Sequence, residues 1–305
     1  MKVLFVARCK NGRYAPFVTE QVEALEKQGI ISRFFGIRGK GVWGYLRQYR
    51  EFLSAIRIFQ PDIIHAHYGL CGLFANLQRR VPVVTTFHGS DINDARVRPL
   101  SKLAMRFSAF SIFVSHKNVE TARPSKSFEL IPCGIDLDDY PIVEKAEARL
   151  RMGLDADRRY VLFAGAFDNP IKNAPLAQAA VSLLPETQLL ELKGYTREQV
   201  ALLMQAVDAF LMTSFTEGSP QVIKEAMTCG CPIVSVDVGD VKERIEELDG
   251  CFLAEREPED LADKLRGAIE FGKRTAGRGR MDSSGLTNEF VAQRILEVYN
   301  CVVRK

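Results

Sequence analysis

The stretch Glu217-Gly218-Ser219-Pro220-Gln221-Val222-Ile223-Lys224-Glu225 decides how this chain is read. Gly218 supplies backbone freedom, Ser219 is a preferred helix N-cap and Pro220 suits the first helical position. Val222, Ile223, Ala226 and Met227 then fall on one apolar face. The first carboxylate thus stands before the mouth of a helix. The second lies on its flank, between one and two turns in at ~1.5 Å rise per residue. Between them, the N–H groups of the first turn and the positive end of the helix dipole make an anion site. A diphosphate suits that site, with a sugar hydroxyl at one carboxylate and a ribose at the other. Lys224 reads as a solvated flank residue.

On either side of this stretch, apolar runs alternate with amphipathic ones. Strands are expected at 2–8, 31–37, 62–67, 82–88, 111–115 and 128–132, and in a second series at 160–166, 187–193, 209–213, 232–237 and 251–254. Helical patterns cover 17–28, 43–59, 97–108, 173–184, 197–207, 220–229, 259–271 and 288–303. This βαβ alternation predicts an α/β fold of parallel sheets covered by helices. Many strands are unbroken Val/Ile/Leu/Phe runs, as sheets buried on both faces require. The charged segment Val143–Arg159 separates the two series and reads as a linker with a short helix. Lys273–Ser284, rich in Gly, Arg and Ser, reads as a mobile loop.

With 305 residues, 47% hydrophobic and 26% charged, the chain is globular and long enough for two domains. Seven cysteines without a C-x-x-C pair read as reduced thiols, not a zinc site. Met-Lys-Val-Leu-Phe-Val reads as a strand opening, since Arg8 and Lys10 break the apolar run a signal peptide would need. No segment reaches the ~18 apolar residues of a spanning helix, so a soluble, cytoplasmic protein is expected. Residues 1–141 carry 20 Lys+Arg against 12 Asp+Glu, and the remainder 21 against 26. A basic first half suits anionic lipid or an anionic acceptor; no nucleic-acid-binding motif accompanies the charge. Val42–Phe59 reads as one amphipathic helix, with Val42, Leu46, Tyr49, Phe52, Leu53, Ile56 and Phe59 on one face and Arg47, Arg50 and Arg57 off it. Two readings stay open for it. One is a core helix; the other is contact with a membrane surface through Trp43 and Tyr45.

Glu217 to Glu225 resembles the E-x7-E motif of family 4 glycosyltransferases, which are retaining and have the GT-B fold. Other matches follow in the family's order: Phe87-His88-Gly89-Ser90-Asp91, Ile131-Pro132-Cys133-Gly134-Ile135-Asp136, Lys172-Asn173, Ala226-Met227, Cys231-Pro232-Ile233-Val234 and Gly239-Asp240-Val241. The resemblance implies two Rossmann-like domains facing across a cleft. The acceptor side would be residues 1–141, with the helix 288–305 packing back on it, and the nucleotide-sugar side residues 142–287. It implies transfer of a sugar from a UDP- or GDP-sugar to a hydroxyl of a glycan or lipid-linked acceptor, with retention and without a metal or other cofactor. Surface polysaccharide assembly is the expected setting, at the inner membrane face.

The resemblance also implies roles. Glu217 and His88 would be the catalytic residues, Glu217 aligning the donor sugar and His88 reaching it from the other domain. Lys172 would bind the diphosphate and Glu225 the ribose hydroxyls. Gly12, Gly165, Gly218, Ser219 and Pro220 would shape the donor site, and backbone near Tyr195 would meet the base. Asn11, Arg13 and His67 would lie on the acceptor side, with His65 structural. Gly194-Tyr195-Thr196 opens a helix with a capping box, Thr196 to Gln199. Two departures stand out: Ala166 occupies the family's usual Arg position, and the Gly-rich loop after the first strand is reduced to Asn11-Gly12. The full G-x-G-x-x-G is missing, which argues against a nicotinamide enzyme. Other readings are a non-hydrolysing nucleotide-sugar epimerase, which shares the architecture, and a non-catalytic member that binds a partner or nucleotide.

Overall fold

A computed structural model describes residues 1–39 and 41–304; Lys305, at the end of the expected last helix, and the Val42 side chain lie outside the described residues. The apolar runs form strands because their β-branched and aromatic side chains pack on both faces of a pleated sheet. In the first unit, Met1–Gly134 and the segment from Asn288, the strands are β1 (Lys2–Arg8), β2 (Ile31–Ile37), β3 (Ile63–His67), β4 (Val83–Phe87), β5 (Phe110–Phe113) and β6 (Phe128–Leu130). They are parallel and ordered β2-β1-β3-β4-β5-β6. Alternation along β1 divides the core. Val3 and Phe5 pack with Val22, Leu25 and the last helix, Asn288–Val303, through Val291, Ile295 and Tyr299. Leu4 and Val6 pack with Phe35, Phe52 and Phe74 on the other face.

The second unit, Ile135–Thr287, holds β7 (Arg159–Phe163), β8 (Thr187–Glu191), β9 (Ala209–Met212), β10 (Ile233–Val236) and β11 (Cys251–Ala254). These too are parallel, in the order β11-β10-β9-β7-β8. Leu162, Phe210 and Ile233 face one core; Val161, Phe163, Leu211 and Val234 face the other. In each sheet the winding reverses once, between β1 and β3 and between β7 and β9. At such a reversal the loops leaving the two strands diverge and open a crevice beyond their carboxyl ends.

All eleven expected strands form, several ending short of the expected bound. The helix expected at 43–59 is instead two, Gly41–Leu46 and Tyr49–Phe59. Gln48 makes the break: its amide donates to the Arg38 carbonyl (2.8 Å) and its Oε1 accepts from the Arg38 N–H (3.2 Å), tying the junction to the end of β2. Of the expected apolar face, Phe52 is buried and Leu46 and Leu53 are exposed. Lys273–Ser284 is not a loop throughout, because Gly277–Ser283 is helical. Its arginines act as donors: Arg274 to the Cys229 carbonyl, Arg278 to those of Tyr140 and Leu137, and Arg280 to those of Arg244 and Glu246. Gly277 allows this approach, since a Cβ there would lie 2.6 Å from the Met227 carbonyl oxygen. The short helices Gly69–Ala75, Ser90–Asn93, His116–Ala122 and Val241–Ile245 carry too few turns to show a periodic face in sequence.

Asp91 fixes the chain where it leaves β4. Its carboxylate is buried and accepts the backbone N–H groups of His88 (3.0 Å), Gly89 (3.1 Å) and Gly69 (2.8 Å). Gly89, at φ +105°, makes the turn that only glycine takes freely. Burial raises the Asp91 pKa from 3.8 to about 6, against the pull of the backbone N–H bonds. The folded state therefore holds a proton between about pH 4 and pH 6 that the unfolded chain has lost, so this group's contribution to stability falls as pH rises through that window. Asp91→Asn should flatten that segment of the stability–pH profile measured by denaturant unfolding. It should also cost about 1–3 kcal/mol at neutral pH, because one amide oxygen cannot serve N–H donors arriving at both carboxylate oxygens.

Candidate active site

The second unit gathers most of the expected donor residues at the β7/β9 crevice. Gly165 follows β7, and a one-turn 3-10 helix, Pro170–Lys172, brings Lys172 back over it. A Cβ at Gly165 would lie 3.0 Å from the Lys172 side chain, so the glycine is the space the lysine occupies. The Thr213 hydroxyl, just past β9, shares its proton between the carbonyls of Lys172 (2.9 Å) and Asn173 (3.0 Å) and ties the loop after β7 to the end of β9. Lys172 Nζ then donates to Glu217 Oε1 at 2.7 Å, with side chains 20% and 18% exposed. A pair so placed is shielded enough to be well defined and open enough to exchange partners.

The helix after Glu217 begins one residue later than expected, with Pro220 as its N-cap and Gln221 first. Ser219 does not cap it. Its hydroxyl donates to Asp240 Oδ2 at 2.8 Å, and the same oxygen accepts from Arg244 Nε at 2.9 Å. Gly239, at φ +56°, lies so close that a Cβ would meet the Gly218 carbonyl oxygen at 2.4 Å. Gly218 and Gly239 thus form a backbone-to-backbone contact that holds the turn carrying Glu217. Arg256 braces it from the other side, donating to the carbonyls of Thr213 (3.1 Å), Ser214 (2.8 Å) and Phe215 (3.4 Å). Sequence reading had no signal for Arg256, whose partners lie more than forty positions away.

Glu225 lies on the flank of Gln221–Thr228 as expected, partly buried. Burial first, and the nearby Glu225 carboxylate second, raise the pKa of the buried Tyr140 phenol, although the two groups do not close a regular hydrogen bond. Lys224 is not solvated but fully buried, its ammonium donating to Gln221 Oε1 at 2.8 Å. Helical spacing carried that signal, because Lys224 shares a side of the helix with the buried Met227 and Thr228, three and four residues on. Tyr195 is 40% exposed in the connection between β8 and the next helix, beside Gly194 at φ +81°. The capping box forms as read, with the Thr196 and Gln199 side chains exchanging bonds with each other's backbone N–H. Ala166 offers no cation. Nearby, Lys193 is engaged with Asp168 at 2.7 Å.

The first unit presents its own residues at the β1/β3 crevice. Lys10 and Arg13 exchange backbone bonds of 2.9 and 3.0 Å around Asn11 (φ +51°) and Gly12 (φ +77°). Two successive positive φ values make a tight hairpin turn for which Asn-Gly is the favoured pair. Asn11, Gly12 and Arg13 are all exposed on it, and a Cβ at Gly12 would meet nothing within 4 Å. His88 stands beyond β4, partly exposed, with the rings of Phe17 and Tyr68 at centroid distances of 4.8 and 4.7 Å. His67 is not on the surface. It is fully buried behind His88, its Nδ1 3.0 Å from His88 Nε2. His65 is buried deeper, held between the Tyr299 hydroxyl (2.5 Å) and Thr86 Oγ1 (2.7 Å). Among the described residues, no three His, Cys, Asp or Glu side chains are grouped as a metal would require, and no helix is long and apolar enough to cross a membrane.

Known proteins resemble this chain in sequence and in fold. A family described as Glycosyltransferase Family 4 matches residues 5–139, and one described as Glycosyl transferases group 1 matches residues 142–270. The teichuronic acid biosynthesis glycosyltransferase TuaC of Bacillus subtilis is 26% identical, over 72% of this chain and 66% of its own length. A D-inositol 3-phosphate glycosyltransferase of Mycobacteroides abscessus is 25% identical, over 70% and 60%. The matched region thus spans less than two thirds of either relative. Among solved structures, a sucrose-phosphate synthase from Thermosynechococcus elongatus superimposes with a TM-score of 0.84 at 18% identity, covering 99% of both chains. Anabaena Alr3699/HepE, in complex with UDP and glucose, does so with 0.75 at 18%, covering 99% of this chain and all of its own. The two sheets have the GT-B fold of these proteins, and with the family matches running almost without a break from residue 5 to residue 270, the chain belongs to the group 1, family 4 glycosyltransferases.

Proposed function

We propose that this chain transfers a hexosyl group from a UDP- or GDP-sugar to a hydroxyl of a glycan or lipid-linked acceptor, with retention and without a metal. The observation that carries the reading is the Lys172–Glu217 pair at the β7/β9 crevice. Without donor, the ammonium and the carboxylate satisfy each other. A diphosphate is a better partner for the lysine, since it brings more negative charge and several acceptor oxygens. Its arrival releases Glu217 to accept a hydrogen bond from a sugar hydroxyl and so align the anomeric carbon. As the glycosidic bond breaks, its electron pair passes to the leaving phosphate oxygen. Lys172 and the first turn of Gln221–Thr228 stabilise that charge. The acceptor hydroxyl adds on the same face of the sugar and gives its proton to the departing phosphate. Glu225 holds the ribose hydroxyls, backbone at Tyr195 meets the base, and Gly165, Gly218, Ser219 and Pro220 keep the crevice open and shaped. UDP in the Anabaena structure makes UDP the first nucleotide to test.

On the first unit, His88 would serve the donor sugar and Gly12 the donor site, while Asn11 and Arg13 belong to the acceptor side. An outer face of this unit suits an anionic bilayer, and hence a lipid-linked acceptor, in a cytoplasmic protein working at the inner membrane face. On the helix Arg98–Phe107, Leu100, Leu103 and Phe107 form an exposed stripe beside Lys102 and Arg106. The Arg79 guanidinium lies 4.2 Å over the Phe107 ring, and Arg57, Arg79 and Arg80 rim an adjoining groove with Leu53 and Ile56. No acidic residue occurs from Ala95 to Phe107. Apolar side chains flanked by cations are what an anionic lipid surface binds. Of the aromatic pair expected at an interface, Trp43 is 74% exposed, and Tyr45 packs against Phe74.

Two measurements test these readings. In titrations with UDP, Lys172→Ala should weaken binding about 10- to 100-fold, the worth of a charge-assisted contact. Glu217→Ala should bind UDP as tightly as wild type or more so, because the lysine's internal partner is gone, while transfer falls by about 100-fold or more. Equal weakening by both changes, or no binding of any UDP-, GDP- or ADP-sugar to wild type, would sink the donor-site reading. In sedimentation with vesicles half phosphatidylglycerol and half phosphatidylcholine, wild type should bind. The double change Leu103→Glu, Phe107→Glu should lower the bound fraction about tenfold, and pure phosphatidylcholine should bind neither. Indifference of binding to that double change would remove this face as the contact.

A further inference from the structure

Three imidazoles stand in a row in the first unit. His65 and His67 stack at a centroid distance of 4.6 Å, and His67 and His88 at 5.2 Å. The register makes this row: His67 pairs with Thr86 across β3 and β4, so His88, two positions past Thr86, returns to the same face of the sheet. His67 is fully buried, and burial lowers its pKa to about 3, so its ring is neutral and carries one proton for two nitrogens. Nδ1 lies 3.0 Å from His88 Nε2; Nε2 is buried and has no hydrogen-bond partner.

A hydrogen bond between two imidazoles at this distance needs one proton between the nitrogens, and either ring could supply it. If His88 donates, the proton of His67 must sit on Nε2, leaving an N–H donor sealed away from any acceptor. If His67 donates from Nδ1, the orphan is only a bare lone pair. Buried N–H groups without acceptors are the rarer and costlier of the two. We propose that His67 is a positioning residue: its Nδ1–H donates to His88 Nε2 and holds His88 as a neutral ring protonated on Nδ1. That second nitrogen faces the Cys133 sulfur at 3.7 Å, a weak acceptor. The main chain of His88 is fixed independently by Asp91. A ring held in this way cannot take up a proton at Nε2 without breaking its bond to His67. His88 therefore serves the sugar as an oriented neutral group and not as a general base.

The consequence for transfer rests on the function proposed above; the tautomer itself does not. It can be read in the ligand-free protein from long-range nitrogen–proton correlation spectra of the imidazoles. Both His67 and His88 should show a protonated Nδ1 and an unprotonated Nε2. In His67→Phe, which keeps the ring and removes the donor, His88 should become a mixture of tautomers and kcat should fall about tenfold or more with little change in KM for the donor. His67→Asn, whose amide nitrogen falls near Nδ1, should restore the His88 tautomer and most of the rate. A proton on His67 Nε2 in wild type, or an unchanged His88 tautomer in His67→Phe, would overturn the proposal. Should the Phe variant not fold, the wild-type and Asn spectra still decide it. Failure of UDP to bind wild type would count against the donor reading and leave the tautomer result standing.

Discussion

A parallel sheet buried on both faces can meet a polar ligand only at its ends. Its faces are sealed by the helices that each crossover must lay down, and its strand amides are spent on neighbouring strands. Both sheets here obey this, and in each the winding reverses once, at β1/β3 and at β7/β9. Every residue assigned to the chemistry lies beyond a strand's carboxyl end at one of these reversals or beside it. Gly12 follows β1 and His88 follows β4; Gly165 and Lys172 follow β7 and Glu217 follows β9. Strand order therefore determines where the chemistry can sit, and the loops determine which chemistry it is.

The strand series and the helix after Glu217 were legible because burial leaves a local trace. Continuous apolar runs mark the sheets, and Gly-Ser-Pro before a periodic stripe marks a helix start. Residues whose role depends on partners distant in sequence were not legible. Ser219 looks like an N-cap because that is its local option, but Asp240, twenty-one residues on, offers a charged acceptor, and the helix starts at Gln221 instead. Lys273–Ser284 looks mobile because its arginines have no local partners; carbonyls near Leu137, Tyr140, Cys229 and Arg244 provide them. Gln48 breaks a helix that periodicity joins, because the strand end at Arg38 competes for its amide. His67 alternates correctly along β3, yet only the register against β4 shows that it lies behind His88.

The two units solve one mechanical problem in the same way. A loop that carries a functional side chain must be polar enough to bind ligand and yet hold one conformation. In the first unit the buried Asp91 carboxylate gathers three backbone N–H groups and so fixes the main chain at His88. In the second, the buried Asp240 carboxylate gathers the Ser219 hydroxyl and the Arg244 guanidinium, and Gly239 presses on Gly218. Each carboxylate sits behind the residue it supports and takes donors from its own unit, although Asp240 takes both on Oδ2 and its buried Oδ1 has no hydrogen-bond partner. Burying a charge costs several kcal/mol unless its lone pairs are met, so these sites hold only while the loops keep one shape. That dependence is what makes the carboxylates effective clamps.

The pair that faces the crevice is built on the opposite principle. Lys172 and Glu217 are about one-fifth exposed, and their side chains meet at 2.7 Å. Rigid carboxylates behind the loops and an exchangeable one in front divide the work. In the function proposed above, the first set the positions and the second would change partner when the donor arrives, so the groups that would stabilise the leaving phosphate are already in place before the bond breaks.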